Sequence, residues 1–103
     1  HDGHDDHEHD DFETIVVPMP EVDDVDALVA AIETMAREQH ILRVKGYVAV
    51  TGKPMRLLVQ AVGARVRHQF DRPWGDTPRQ GHLVVIAEHD HIDTAAIRTA
   101  LGA

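Results

Sequence analysis

Ile41-Leu42-Arg43-Val44-Lys45-Gly46-Tyr47-Val48-Ala49-Val50 alternates with a period of two. Leu42, Val44, Val48 and Val50 point one way, with Gly46 in their row; Ile41, Arg43, Lys45, Tyr47 and Ala49 point the other. A strand with one aliphatic row and one row carrying cations belongs to a sheet packed on one face only. Downstream, Thr51-Gly52-Lys53-Pro54 reads as a hairpin turn, and Met55 to Val62 returns as a second strand. Gly63 breaks that run. Arg65 to Phe70 then alternates Arg65, Arg67 and Gln69 against Val66, His68 and Phe70. A loop with Pro73, Gly75, Pro78 and Gly81 leads to His82–Glu88, whose continuous apolar run predicts a central strand.

Upstream, the spacing predicts a helix. Val25, Leu28, Val29, Ile32, Met35 and Ala36 share one face, and Asp26, Glu33 and Arg37 lie on the other. Asp23, Asp24 and Asp26 place negative charge at the positive end of its dipole. Before it, Phe12 to Val17 reads as a short strand that Pro18 and Pro20 terminate. At the other end Asp93 caps a short helix with Ile97, Ala100 and Leu101 inward, ended by Gly102. The order is β-α-β-β-β-β-α. The expected fold is α+β: a two-layer sandwich with a mainly antiparallel sheet of four to five strands and two helices on one face.

The first eleven residues, HDGHDDHEHDD, contain no apolar side chain. They divide the chain into a flexible His/Asp-rich linker, 1–11, and a folded part, 12–103. Imidazole suits zinc, cobalt, nickel and copper, and carboxylates can complete a shell. His1, His4, His7 and His9 are therefore candidate ligands for a weakly held divalent metal, cobalt or zinc. An inert acidic linker is the alternative.

Composition excludes much else. The net charge is −8, but six of the 18 acids lie in the linker, leaving the folded part near neutral beside its 10 basic residues. A nucleic-acid partner is not expected without a basic excess. No apolar run reaches the roughly 20 residues that span a bilayer, so no membrane contact is expected. Cysteine is absent, which removes disulfides and thiolate chemistry from this chain. Its first residue is histidine, and the expectation is a piece of a longer protein.

No nucleophile–base–orienter set and no phosphate-binding loop is present, so no catalytic residue is assigned. His89 and His91 flank Asp90 and could ligate a cation with His82 nearby in sequence; a polar loop leading into a helix cap is the preferred reading. His68 reads as a packed, hydrogen-bonded histidine, and His40 as the C-terminal residue of the first helix. Arg43, Lys45, Arg65 and Arg67 form a row that could dock an acidic partner surface or stand as an ordinary solvated face. Trp74, in Arg72-Pro73-Trp74-Gly75, is either a plug over the core's edge or an interface anchor.

Taken together, Ile41–Tyr47 with its Arg43-Val44-Lys45-Gly46 core, Gln60-Ala61-Val62-Gly63, Pro73-Trp74 and Leu83-Val84-Val85-Ile86-Ala87 resemble the C-terminal domain of the CobW family. So does the preceding acid-capped helix. The resemblance spans roughly residues 13–102; Ala87 departs from it, since relatives often carry glycine there. It implies a G3E-type P-loop GTPase whose catalytic domain, with its GTP and magnesium sites, precedes this segment. The implied role is metal delivery, cobalt for cobalamin biosynthesis, in the cytoplasm. The implied partners are the chain's own N-terminal GTPase domain and a metal-receiving client enzyme, with homo-oligomers left open. The alternative is a docking domain of a zinc-handling or nitrile-hydratase-activating GTPase, the linker then carrying no metal. Either way this segment is no enzyme by itself. Calorimetry with GTP should detect neither saturable binding nor hydrolysis by the 103-residue chain; saturable binding would contradict the reading.

Overall fold

The computed structural model describes residues 12–89 and 92–103. The linker and the Asp90–His91 pair lie outside the described residues. Five strands and two helices follow in the expected order: β1 (Phe12–Met19), α1 (Val25–Glu38), β2 (Ile41–Val48), β3 (Met55–Val62), β4 (Arg65–Pro73), β5 (Gly81–Glu88) and α2 (Thr94–Leu101). The sheet order is β1-β5-β2-β3-β4, and each neighbouring pair is antiparallel. The fold is an α+β sandwich with both helices on one face.

That one-sidedness follows from the alternation. Val44 and Val48 of β2, Leu57 and Val59 of β3, and Leu83 and Val85 of β5 are buried in one cluster with Leu28, Ile32 and Met35 of α1 and Ile97 and Leu101 of α2. Each such side chain contributes about 1.5–3 kcal/mol by leaving water. Asp24 caps α1 by accepting from the Ala27 N–H at 3.1 Å, and Asp93 caps α2 by accepting from Ala96 at 3.0 Å. Gly102, with φ 77°, closes α2 in the left-handed conformation that glycine adopts without penalty.

Four expectations are corrected. Pro18 does not end β1, which runs on to Met19. β1 is an edge strand, so the missing proline N–H takes no ladder bond away, and Met19 joins the core. Ile41 is core and Leu42 only half-buried, the reverse of strict alternation, because the β2–β5 register shifts between Ile41 and Arg43. The extra residue of that bulge resets which side faces in. Ala100 is exposed. His68 shares the inward side with Val66 yet is exposed, because β4 is the other edge strand and the core does not extend over it.

At its centre the sheet is closed by backbone contact. A Cβ on Gly46 would lie 2.1 Å from the His82 carbonyl oxygen and 2.9 Å from Leu83 Cα, and one on Gly81 would lie 2.6 Å from the Tyr47 carbonyl oxygen. Neither neighbour can swing aside, since both are main chain. Gly46→Ala should therefore destabilise the domain by about 3 kcal/mol, the upper end for overpacking, and lower Tm by more than about 10 °C. A loss of only a degree or two would show that β2 and β5 are not so closely joined.

Candidate docking face

The face of the sheet away from the helices is uncovered. Register places Arg43 opposite Val62 and Val62 opposite Arg65; the next row runs Lys45, Gln60, Arg67. The four cations are exposed and line one groove of about 350 Å³ over Gln60 and Val62. On the β5 side, Val84 and Ile86 continue these rows toward Val16 and Thr14 of β1. Val62 is 63% and Val16 53% exposed, so aliphatic and cationic groups alternate across one open surface. The predicted row is thus assembled by β2 and β4 across β3.

Beside the row lies a cluster that the sequence did not reveal. The Arg56 guanidinium stands 3.9 Å over the Tyr47 ring, which also meets His82 edge-on at 5.1 Å and Trp74 at 6.0 Å. Arg56 donates to both oxygens of Asp71, Nε to Oδ1 at 2.9 Å and Nη2 to Oδ2 at 3.0 Å. Asp71 is the extra residue where the β3–β4 register shifts, and no alternation pattern anticipates a bulge. Tyr47 could have been found: its parity matches Arg43 and Lys45. Trp74 is 5% exposed, the plug of the two readings, so it does not stand on the open surface. Its Nε1 is buried without an acceptor among the described residues.

The histidines separate. His82 is half-buried against Tyr47, seven residues along β5 from His89, or about 23 Å; it cannot share a cation with it. His40 takes φ 56° just after the α1 cap residue Gln39. His89 is 3.2 Å from Glu13, Nδ1 to Oε1, where β5 ends beside the start of β1. Among the described residues no three His, Asp or Glu side chains converge as a complete metal site. His1, His4, His7, His9 and His91 lie outside the described residues. No helix among the described residues is long and apolar enough to cross a membrane.

With this geometry in place, comparison with known proteins is specific. The sequence model of the "Cobalamin synthesis protein cobW C-terminal domain" matches residues 12–103. The chain belongs to the CobW C-terminal domain family. A zinc chaperone CobW from a Sinorhizobium species is 43% identical over all of this chain, and one from Pseudomonas aeruginosa is 48% identical over 82% of it. This chain spans only 29% and 23% of those two relatives. The crystal structure of the Zn(II)-bound YjiA GTPase from Escherichia coli superposes with a TM-score of 0.75 at 31% identity, over 89% of this chain and 29% of that one. The CobW C-terminal domain is therefore an accessory part of longer chains in a family of zinc chaperones and GTPases.

The Arg56–Asp71 pair gives the open face a pH signature. Hydrogen bonds from Arg56 hold the Asp71 carboxyl below its ordinary value, opposed by burial and assisted by the cation's charge. The same bonds raise Arg56. A depressed folded-state value means the stabilisation is full above about pH 4 and is lost as pH falls through the lower folded value. Asp71→Asn should be less stable than wild type at pH 7, and the gap should close toward pH 3. An equal gap at both values would show that the charge of Asp71 contributes nothing.

Proposed function

We propose that this chain is the accessory C-terminal domain of a GTP-dependent metallochaperone whose nucleotide-binding domain precedes it, and that its linker holds a divalent cargo metal during transfer. The observation that carries this is the family match over 12–103 together with relatives named zinc chaperones, one alignment covering the whole chain. Those names favour zinc. Cobalt remains the alternative cargo, for which the family description's cobalamin synthesis is the support. In this reading the linker's imidazoles bind weakly enough to release the ion. Arg43, Lys45, Arg65 and Arg67 dock the GTPase domain or the metal-receiving enzyme, in the cytoplasm.

A second reading makes the chain a docking module and the linker a spacer. The mixed open face supports it, because exposed Val16 and Val62 beside four cations resemble an interface more than a purely solvated surface.

Metal titration separates them. Histidine must be neutral to coordinate, and its ordinary value is about 6.5. Six neighbouring carboxylates favour the imidazolium and push that transition upward. Zinc or cobalt should bind at about pH 8, far more weakly at about pH 6, with proton release. His4, His7 and His9 replaced together by alanine should abolish the linker's share. Binding that is indifferent to pH over this window, or to that triple variant, would leave the spacer reading.

A further inference from the structure

The outward side of an antiparallel sheet covered on one face ordinarily carries polar side chains. Here its two halves differ. On β1 and β5 it presents Val16 paired with Val84, and Ile86 paired with Thr14. On β2 and β4 it presents Arg43 and Lys45, and Arg65 and Arg67. Among the described residues none of these four cations has a carboxylate partner, whereas Arg56 is paired with Asp71 and Arg79 with Glu21. Two grooves meet along β2 and share Arg43 and Lys45 as their common ridge. One, of about 350 Å³, lies over β3; the other, of about 460 Å³, is lined by Val84 and Ile86.

We propose that this face seats an acidic amphipathic helix of a partner protein, lying along β5 with its apolar stripe on Val16, Val84 and Ile86 and its carboxylates turned to Arg43 and Lys45. Charge complementarity and spacing carry the choice. An added strand pairs with a sheet edge, so an occupant of the face must pack by side chains. Arg43 and Lys45 stand about 7 Å apart along one strand. Carboxylates three or four residues apart on a helix stand about 5–6 Å apart, so one flank answers both cations. β1 and β2 lie about 10 Å apart across β5, the width of one helix with its side chains. Arg65 and Arg67 lie two strands beyond β2 and add field more than contact. A second copy of this chain would bring four cations against four cations. A nucleic acid would leave the aliphatic half uncovered. The inference rests on the docking role of the open face and names what fills it; it requires no metal.

The probe is a labelled synthetic peptide of about 16 residues, about 24 Å long as a helix and so matched to the eight residues of β5. It carries leucine at helical spacing on one face and glutamate along one flank. Its fluorescence anisotropy, titrated with the metal-free 103-residue chain, should saturate, and added salt should weaken the binding. Lys45→Glu should weaken it by about tenfold and Arg67→Glu by less. A peptide with lysine in place of each glutamate should bind the Arg43→Glu/Lys45→Glu variant and not the wild type. Val16→Asp, at a side chain 53% exposed, should weaken the glutamate peptide several-fold through the apolar half. Thermal melts confirm that each variant folds. If a scrambled peptide of the same composition binds as well, or Val16→Asp changes nothing, the face attracts acid without seating a helix; the inference is then wrong and the docking role of the cations stands. If neither peptide binds, if a DNA duplex displaces the helical one, or if sedimentation shows the chain pairing through this face, both fall, and the linker's metal binding is untouched.

Discussion

The close pairing of β2 with β5 is the constraint on which the architecture depends. Gly46 and Gly81 let two backbones meet where any Cβ would strike main chain, and that contact inserts the last strand between the first two. Once β5 occupies that place, β1 can pair only with its far side and becomes an edge, while β3 and β4 extend the sheet the other way. The helices then cover one face because β1, β2, β3 and β5 each turn buried aliphatic side chains to the same side. The opposite face is left to the cations of β2 and β4.

The make-up of the open face follows from that placement. Arg43 and Lys45 on β2 reach the same groove as Arg65 and Arg67 on β4 only because β3 separates them with the outward residues Val62 and Gln60. The Arg56–Asp71 pair and the Tyr47 ring brace one side of that face, with Trp74, the first residue of the loop after β4, buried against Tyr47. The His89–Glu13 pair lies elsewhere, at the start of β1 and the end of β5.

Much of this was legible in the chain. The periodicities of Val25–Ala36 and of Ile41–Val50 identify the first helix and the one-sided sheet, and Asp24, Asp93 and Gly102 mark helix ends by chemistry that is local. What was not legible depends on pairing. The bulges at Leu42 and Asp71 exist only against a partner strand, so alternation alone puts Ile41 on the wrong face and gives no sign of Asp71. Pro18 looks like a stop in the sequence because a proline is harmless only on an edge, and the edge is a property of the whole sheet. His68 has the right parity for burial and the wrong strand. Glu13 meets His89 through a register between residues seventy-six positions apart, which no spacing rule contains.

The central claim is that β2 and β5 meet backbone to backbone at Gly46 and Gly81 and that this contact sets the sheet order. Amide hydrogen exchange of the intact chain tests it most directly. The account predicts the slowest exchange in β2 and β5, around Val44, Val48, Leu83 and Val85, with the edge strands β1 and β4 exchanging faster. Exchange in β2 and β5 as fast as in the edge strands would contradict it.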